Sequence, residues 1–309
     1  MTNSRGGARE NNGDKLAHMS PQSQAEVIVR RATPEDAPEC GRICFEAFGA
    51  INERHGFPSD FPVPEAAIGI ITRLFSHPEF YCVAAESDGR IVGSNCLDER
   101  SAIAGVGPIT IHPEAQNRGV GRKLMQAVME RAHERGTAGV RLVQAGFHTR
   151  SLSLYASLGF EVREPLACMQ GRTRQRVIPR CTVRPARPQD ADTCNDLSRR
   201  VHGFERGREL AEAIAHAGAM VVEREGRITG YATALAFFGY ATAETNLDLQ
   251  ALIASAESFG GPGILVPSRD SALFQWCLAN GLRVVQPMTL MTTGLYSDPA
   301  GAWLPSILF

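Results

Sequence analysis

Apolar residues recur with two different periods along the chain, and the switches between them mark its elements. Short alternating or wholly apolar runs predict strands at VIVRRA (27–32), YCVAAE (81–86), RIVGSNCL (90–97), GPITIH (107–112) and GVRLVQAG (139–146). Helical spacing predicts helices at TPEDAPECGRICFEAF (33–48), EAAIGIITRLFS (65–76), GVGRKLMQAVMERAHERG (119–136) and RSLSLYASLG (150–159). In the first of these Ile43, Ala47 and Phe48 form the apolar stripe, Thr33 suits an N-cap and Pro34 the first helical position. Asp88-Gly89 between two alternating runs reads as a β-hairpin turn, and FEVREP and LACMQG (160–171) close the series as strands. Strands interleaved with helices predict a mixed α/β layered protein.

The pattern then repeats. VRRATPEDAPEC (29–40) returns as VRPARPQDADTC (183–194), ESDGRIVG (86–93) as EREGRITG (223–230), and LYASLGFEV (154–162) as WCLANGLRV (276–284). Three echoes in the same order imply two tandem copies of one fold, the second shorter than the first. The charged junction QGRTRQRVIPRC (170–181), in which Pro179 breaks any helix, carries the boundary. The expected division is a disordered polar, Gly/Asn-rich tail over 1–25, a first domain over 26–172, a linker over 173–182 and a second domain over 183–309. PMTLMTTGLY (287–296) reads as paired strands of a packed core.

Composition narrows the function classes. A chain of 309 residues fits two domains of roughly 100–200 residues each. The charges nearly cancel, 32 basic against 33 acidic, which argues against a nucleic-acid or membrane-surface partner. No apolar run reaches the roughly 18 residues of a membrane span, and the N-terminus lacks a signal-peptide core. The 8 cysteines form neither C-x-x-C nor a zinc spacing, so they read as reduced, packed thiols of a cytoplasmic protein with no metal.

One stretch carries chemistry. ITIHPEAQNRGVGRKLM (109–125) passes from strand to helix through Gln116-Asn117-Arg118-Gly119-Val120-Gly121. The first amides of a helix lack internal partners and sit at its positive dipole end, and glycine lets the backbone approach a ligand closely. A phosphate or pyrophosphate is the natural guest there, with a plain turn as the alternative. The dinucleotide fingerprint fails because Leu124 stands where its third glycine belongs, and the P-loop fails because Arg122-Lys123-Leu124 follows Gly121.

The stretch, Q-x-x-G-x-G, resembles motif A of the GNAT N-acetyltransferase superfamily, and HTRSLSLYASLGFEV (148–162) is similar to its motif B. With the hairpin ESDGRIVGS, the resemblance covers roughly residues 27–170. It implies acetyl-CoA as co-substrate, with Gln116, Asn117, Arg118, Gly119, Val120, Gly121 and Arg122 around its pyrophosphate. Ile109, Thr110 and Ile111 would pair with its pantetheine arm, next to a sheet-splaying Gly107-Pro108. Tyr155 matches the family's tyrosine that protonates the leaving thiolate; His148 replaces the family's Asn and Ser151 its Ala, both as cofactor contacts. Asp98 and Glu99 end a strand that would open toward the acceptor, Glu99 as a candidate base and Asp98 as an acceptor contact. A surface turn is the other reading of that pair, and many family members use a water chain instead. The loop FGAINERHGFPSDFPVPE (48–65) would shape the acceptor pocket through Phe48, Asn52, His55, Phe57, Asp60 and Phe61; a rigid, proline-pinned loop packing on its own domain is the other reading. The second copy has no Q-x-x-G-x-G, and Cys277 stands in place of Tyr155, so it resembles a degenerate GNAT domain of a tandem acetyltransferase. The implied activity is N-acetylation of a primary amine on a small molecule. A non-catalytic CoA-binding sensor and a protein-lysine acetyltransferase are the alternatives. The oligomeric state is not legible.

Overall fold

A computed structural model describes residues 26–174 and 177–308; the expected tail over 1–25 lies outside them. The first half runs β1 (Val27–Arg31), α1 (Ala37–His55), α2 (Pro64–Ser76), β2 (Phe80–Ser87), β3 (Arg90–Asp98), β4 (Ile103–Val106), β5 (Thr110–Ile111), α3 (Val120–Glu134), β6 (Gly139–Ala145), α4 (Thr149–Ser157) and β7 (Glu161–Gly171). The second half runs β8 (Cys181–Pro185), α5 (Ala191–His202), α6 (Gly207–Ala215), β9 (Met220–Arg224), β10 (Arg227–Ala232), β11 (Ala241–Ala243), α7 (Asn246–Ser255), β12 (Ile264–Pro267), α8 (Ser271–Ala279), β13 (Leu282–Gly294) and β14 (Ala302–Leu304). The α/β reading holds. Three details differ from the periodicity: α1 runs on to His55, so Phe48, Asn52 and His55 stand on a helix and not in a loop; FEVREP and LACMQG form one continuous strand; and GPITIH begins irregularly, with Gly107-Pro108 separating β4 from β5.

The strands form two sheets. The first has the order β1-β2-β3-β4-β6-β13-β7-β12, with the short β5 pairing β3; the second has the order β14-β11-β10-β9-β8. The chain division expected at 173–182 therefore does not divide the first sheet. β13 inserts between β6 and β7, antiparallel to both, and β12 adds on the far side of β7. PMTLMTTG is most of β13, paired not with a strand of its own half but with the first half. The buried side chains follow: Leu166 and Cys168 of β7 pack in one core with Met288 and Leu290 of β13, Phe237 and Trp303.

The echoes of the sequence become matching contacts. In the first half Arg30 is ion-paired to Asp36 and Glu86, while the Thr33 N–H donates to the Asp36 carboxylate. In the second half Arg184 is ion-paired to Asp190 and Glu223, while the Arg187 N–H donates to Asp190. The same three charges lock strand, helix start and hairpin in each half. Beside these, Arg100 bridges Asp98 and Glu212 at 2.6 and 2.7 Å, and His77 meets Glu212 at 3.0 Å, tying the two halves at their polar rim.

The gap that matters lies between β5 and β6. β4 pairs in parallel with β6 only over Ile103–Gly105 against Gly139–Arg141. Beyond Gly107-Pro108 the chain stays with β3 through Ser94↔Thr110 and Gly93↔Ile111, so nothing joins β5 to β6. The sheet splays there, leaving one face of β5 and the end of β6 without strand partners toward each other.

Candidate active site

A cavity of about 630 Å³ fills the splay. Val106–Ile111 form one wall and Leu142–Ala145 the other. The start of α3 and one face of α4 also line it, with α1, the 60–62 loop and segments of the second half.

At the start of α3 the backbone is open. Gly119 is the N-cap, at φ +80°, and Asn117 also has positive φ. A Cβ added at Gly119 would meet nothing within 4 Å, so the space beside its backbone is open; one added at Gly121 would come within 3.3 Å of the Ile111 side chain. The first amides of α3 have no partner within the helix, and Val120, Gly121 and Arg122 line the cavity. Gln116 braces the loop by donating to the Ile111 carbonyl at 3.2 Å. Arg150, which sequence reasoning did not single out, donates to Gln116 Oε1 at 2.5 Å and Asn117 Oδ1 at 3.0 Å, bringing a cation to the same spot. Arg122 donates to Ser157 at 2.8 Å, which joins α3 to α4. Arg118 is exposed and is not part of the lining.

Tyr155 lies on α4, 6% exposed, with its ring edge-on to Phe160 at 6.3 Å. Burial pushes its phenol up to about 12, with Ser151 pulling the other way, so it is protonated at neutral pH. His148 caps the start of α4; its Nδ1 lies 2.6 Å from the Ser151 hydroxyl, and its buried Nε2 has no partner. Burial and the nearby Arg150 hold its pKa down at about 4, so the ring is neutral. Ile109, Thr110, Ile111, Gln116, Asn117, Gly119, Val120, Gly121, Arg122, His148, Ser151 and Tyr155 thus share one cavity.

The expected acceptor and base residues divide. Phe48 and Phe61 line the cavity, with ring centroids 6.2 Å apart. Asn52 does not: it is 2% exposed and donates to the Pro58 carbonyl, bracing the loop from behind. His55 is exposed, lies edge-on to Phe147 and stays outside the lining. Glu99 is held by Arg131 of α3 at 2.7 Å and by Arg135 at the C-cap of that helix at 3.3 Å, and it is not part of the cavity lining. Asp98 accepts from the Arg100 guanidinium and backbone and belongs to the contact between halves. The cavity does hold Asp60 of the same loop, together with two groups the sequence did not flag, Gln144 of β6 and Gln286 of β13. Their signal was weak because Asp60 and Gln286 meet only through the fold, at 3.2 Å.

Residues 48–160 match the acetyltransferase (GNAT) family model. A provisionally named acetyltransferase from Pyrococcus horikoshii superposes with a TM-score of 0.67 at 18% identity, over 93% of this chain and 98% of that one. A GCN5-related N-acetyltransferase from Sphaerobacter thermophilus gives 0.58 at 16%, over 88% and 96%. A tandem GNAT protein of the clavulanic acid biosynthesis pathway gives 0.53 at 14%, over 88% and 100%. At these identities the likeness is one of fold. Among curated proteins, the UPF0157 protein YqkA of Bacillus subtilis is 26% identical over 96 residues, 31% of this chain; the match spans only 27% of that relative. Among the described residues no helix is long and apolar enough to cross a membrane, and no cluster of His, Cys, Asp and Glu is able to hold a metal ion.

Proposed function

We propose that the chain transfers an acetyl group from acetyl-CoA to the primary amine of a small molecule, in the cavity of the first half. The observation that carries this reading is the meeting, in one cavity of about 630 Å³, of an open glycine-bearing helix start with a protonated tyrosine. Acetyl-CoA supplies the activated acyl group. The amides at Gly119–Arg122, with Arg150, hold its pyrophosphate. The unpaired edge of β5 takes the pantetheine arm as an added strand and turns an amide toward the thioester oxygen. Tyr155 hands its proton to the sulfur as the amine displaces it. Phe48, Phe61, Ile70, Phe237 and Leu308 give the acceptor end an apolar wall, which suits a small amine with an apolar body better than a lysine on a protein surface. The second half acts as a degenerate copy that covers this end and supplies β13.

Release of free thiol from acetyl-CoA, followed across a library of small amines, tests the reading. Amine-dependent thiol release with recovery of the N-acetyl product supports it. Tight acetyl-CoA binding with no transfer to any amine would favour a sensor instead.

A further inference from the structure

Asp60 occupies an unusual place. It lines the large cavity and also a smaller one of about 210 Å³, and Gly261, Pro262 and Gln286 are shared between the two in the same way. The pair Asp60–Gln286 thus stands where the two spaces adjoin. Gln286 Nε2 donates to Asp60 Oδ1 at 3.2 Å, whereas Gln286 Oε1 is buried without a partner on a residue only 2% exposed. Gln144, 6% exposed and lining the large cavity, leaves both of its amide atoms unpartnered. Buried polar atoms left without a partner are costly, so a cavity wall that carries these three together with the Asp60 carboxylate is shaped for a polar guest. The rest of the wall, Phe48, Phe61 and Phe237, is apolar.

Resting on the acetyltransferase reading, we propose that Asp60, held by Gln286 of the second half, binds the ammonium group of the acceptor and takes its proton before transfer. An N–H bond of the ammonium breaks and its proton passes to Asp60. The freed lone pair forms the C–N bond to the thioester carbonyl carbon as the C–S bond breaks, and Tyr155 gives the sulfur a proton. The amide nitrogen sheds its second proton, Tyr155 regains one and Asp60 releases its own to solvent, so one proton leaves per turnover. Burial holds the Asp60 carboxyl above the usual carboxylate range, which makes it a better base than an exposed aspartate. Of the groups around it, Asn52 and Gln286 are neutral donors that favour the carboxylate. The thiols of Cys44 and Cys168 are pushed up by burial and stay protonated. His148 is neutral, and Arg54 and Arg283 are the cations of the two cavity linings on this side.

The test compares wild type, Asp60→Asn and Gln286→Met for amine-dependent thiol release, its pH profile, acetyl-CoA affinity and thermal melting. Asp60→Asn is expected to lose at least about 10²-fold in kcat/KM for the amine while acetyl-CoA affinity and melting stay near wild type. Gln286→Met removes a donor that favours the carboxylate, so the acid limb of kcat/KM should move to higher pH by about one unit. A merely structural role would leave that limb in place. Asp60→Asn within about threefold of wild type, or an acid limb unmoved in Gln286→Met, overturns the assignment. A wild type that releases no thiol with any amine overturns the acetyltransferase reading itself, a result distinct from the variants' behaviour.

Discussion

Leu290 of β13 stands opposite Val143 of β6, in a strand ladder that joins residues from the two halves of the chain. Its other neighbour, Glu164, belongs to β7, so the strand is bonded on both sides by the first half. A chain cut near residue 174 would lose this strand and expose two open edges together with the apolar side chains of Leu166, Cys168 and Val143. Such a fragment is expected to lose cooperative melting and to bind an apolar dye. In the full chain, Leu290→Ala should cost about 2–5 kcal/mol, because Leu290 is 0% exposed. Denaturant unfolding checks the second value, and a fragment with wild-type melting and activity would refute the first.

Gly119→Glu and Gly121→Glu should each abolish acetyl-CoA binding without unfolding the chain. At Gly119 the new side chain would extend into open space at a helix start, where its carboxylate would repel the pyrophosphate. Like-charge juxtaposition costs several kcal/mol, so calorimetry should read a loss of about 10²-fold or more. The positive φ of Gly119 adds a local strain of roughly 1 kcal/mol for any side chain, which melting would register as a small shift. Unchanged affinity in a folded variant would remove the pyrophosphate site from this loop.

The strand and helix sequence of the first half was legible because each element has its own period and its own stop signals. The glycine turn at the start of α3 was legible because its pattern is local: two glycines and a glutamine within six positions of a helix start. What the sequence hid was long-range. No local period says that PMTLMTTG pairs with GVRLVQA and FEVREPLACMQG rather than within its own half. Glu99 looked free because Arg131 and Arg135 are one helix further on, and Asp98 because Arg100 turns back on it. Asp60 looked like one polar residue of a loop until Gln286 was placed beside it by the inserted strand.

Tyr155→Phe keeps the ring and removes the proton. A general acid contributes typically 10²–10⁴-fold, so kcat should fall by about that factor with little change in the acetyl-CoA KM. Since burial holds the phenol up at about 12, Tyr155 should impose no alkaline limb on the wild-type profile below about pH 11. Steady-state kinetics from pH 6 to 10.5 check both statements. Wild-type turnover in the variant would leave Tyr155 a packing residue.

Acid should weaken the fold of the second half through His202. This ring is 3% exposed, packed edge-on against Trp303 at 5.6 Å and near Tyr240 at 5.5 Å. Burial, with Arg141 and Arg206 nearby, pushes its pKa down to about 3. The unfolded chain, with an ordinary value near 6.5, therefore binds a proton that the folded chain refuses. The stability this ring supports is full above about pH 6.5 and is lost progressively as pH falls from there toward 3, by an amount on the order of a few kcal/mol. His202→Phe should flatten that part of the stability-against-pH curve measured by denaturant unfolding. A curve as steep as wild type would place the acid sensitivity elsewhere.

Only one acetyl-CoA should bind per chain. In the second half α7 occupies the place that α3 holds in the first, since it follows the β10–β11 pair as α3 follows β3 and β5. Its start is already filled. Thr245 is the N-cap and accepts from the Asp248 N–H at 3.4 Å, and Asp248, with 0% exposure, accepts from Thr229 at 2.7 Å and Arg224 at 2.8 Å. A buried carboxylate already stands where the helix dipole would favour a phosphate, and no glycine opens the backbone there. Cys277 lies on α8 as Tyr155 lies on α4, but it is 0% exposed in the apolar core with its thiol pushed up to about 12, and it reaches no cavity described above. Calorimetric titration with acetyl-CoA should therefore saturate at one equivalent, and Gly119→Glu should reduce binding to none. Two equivalents in the wild type, or one equivalent left in Gly119→Glu, would show that the second half binds the nucleotide after all.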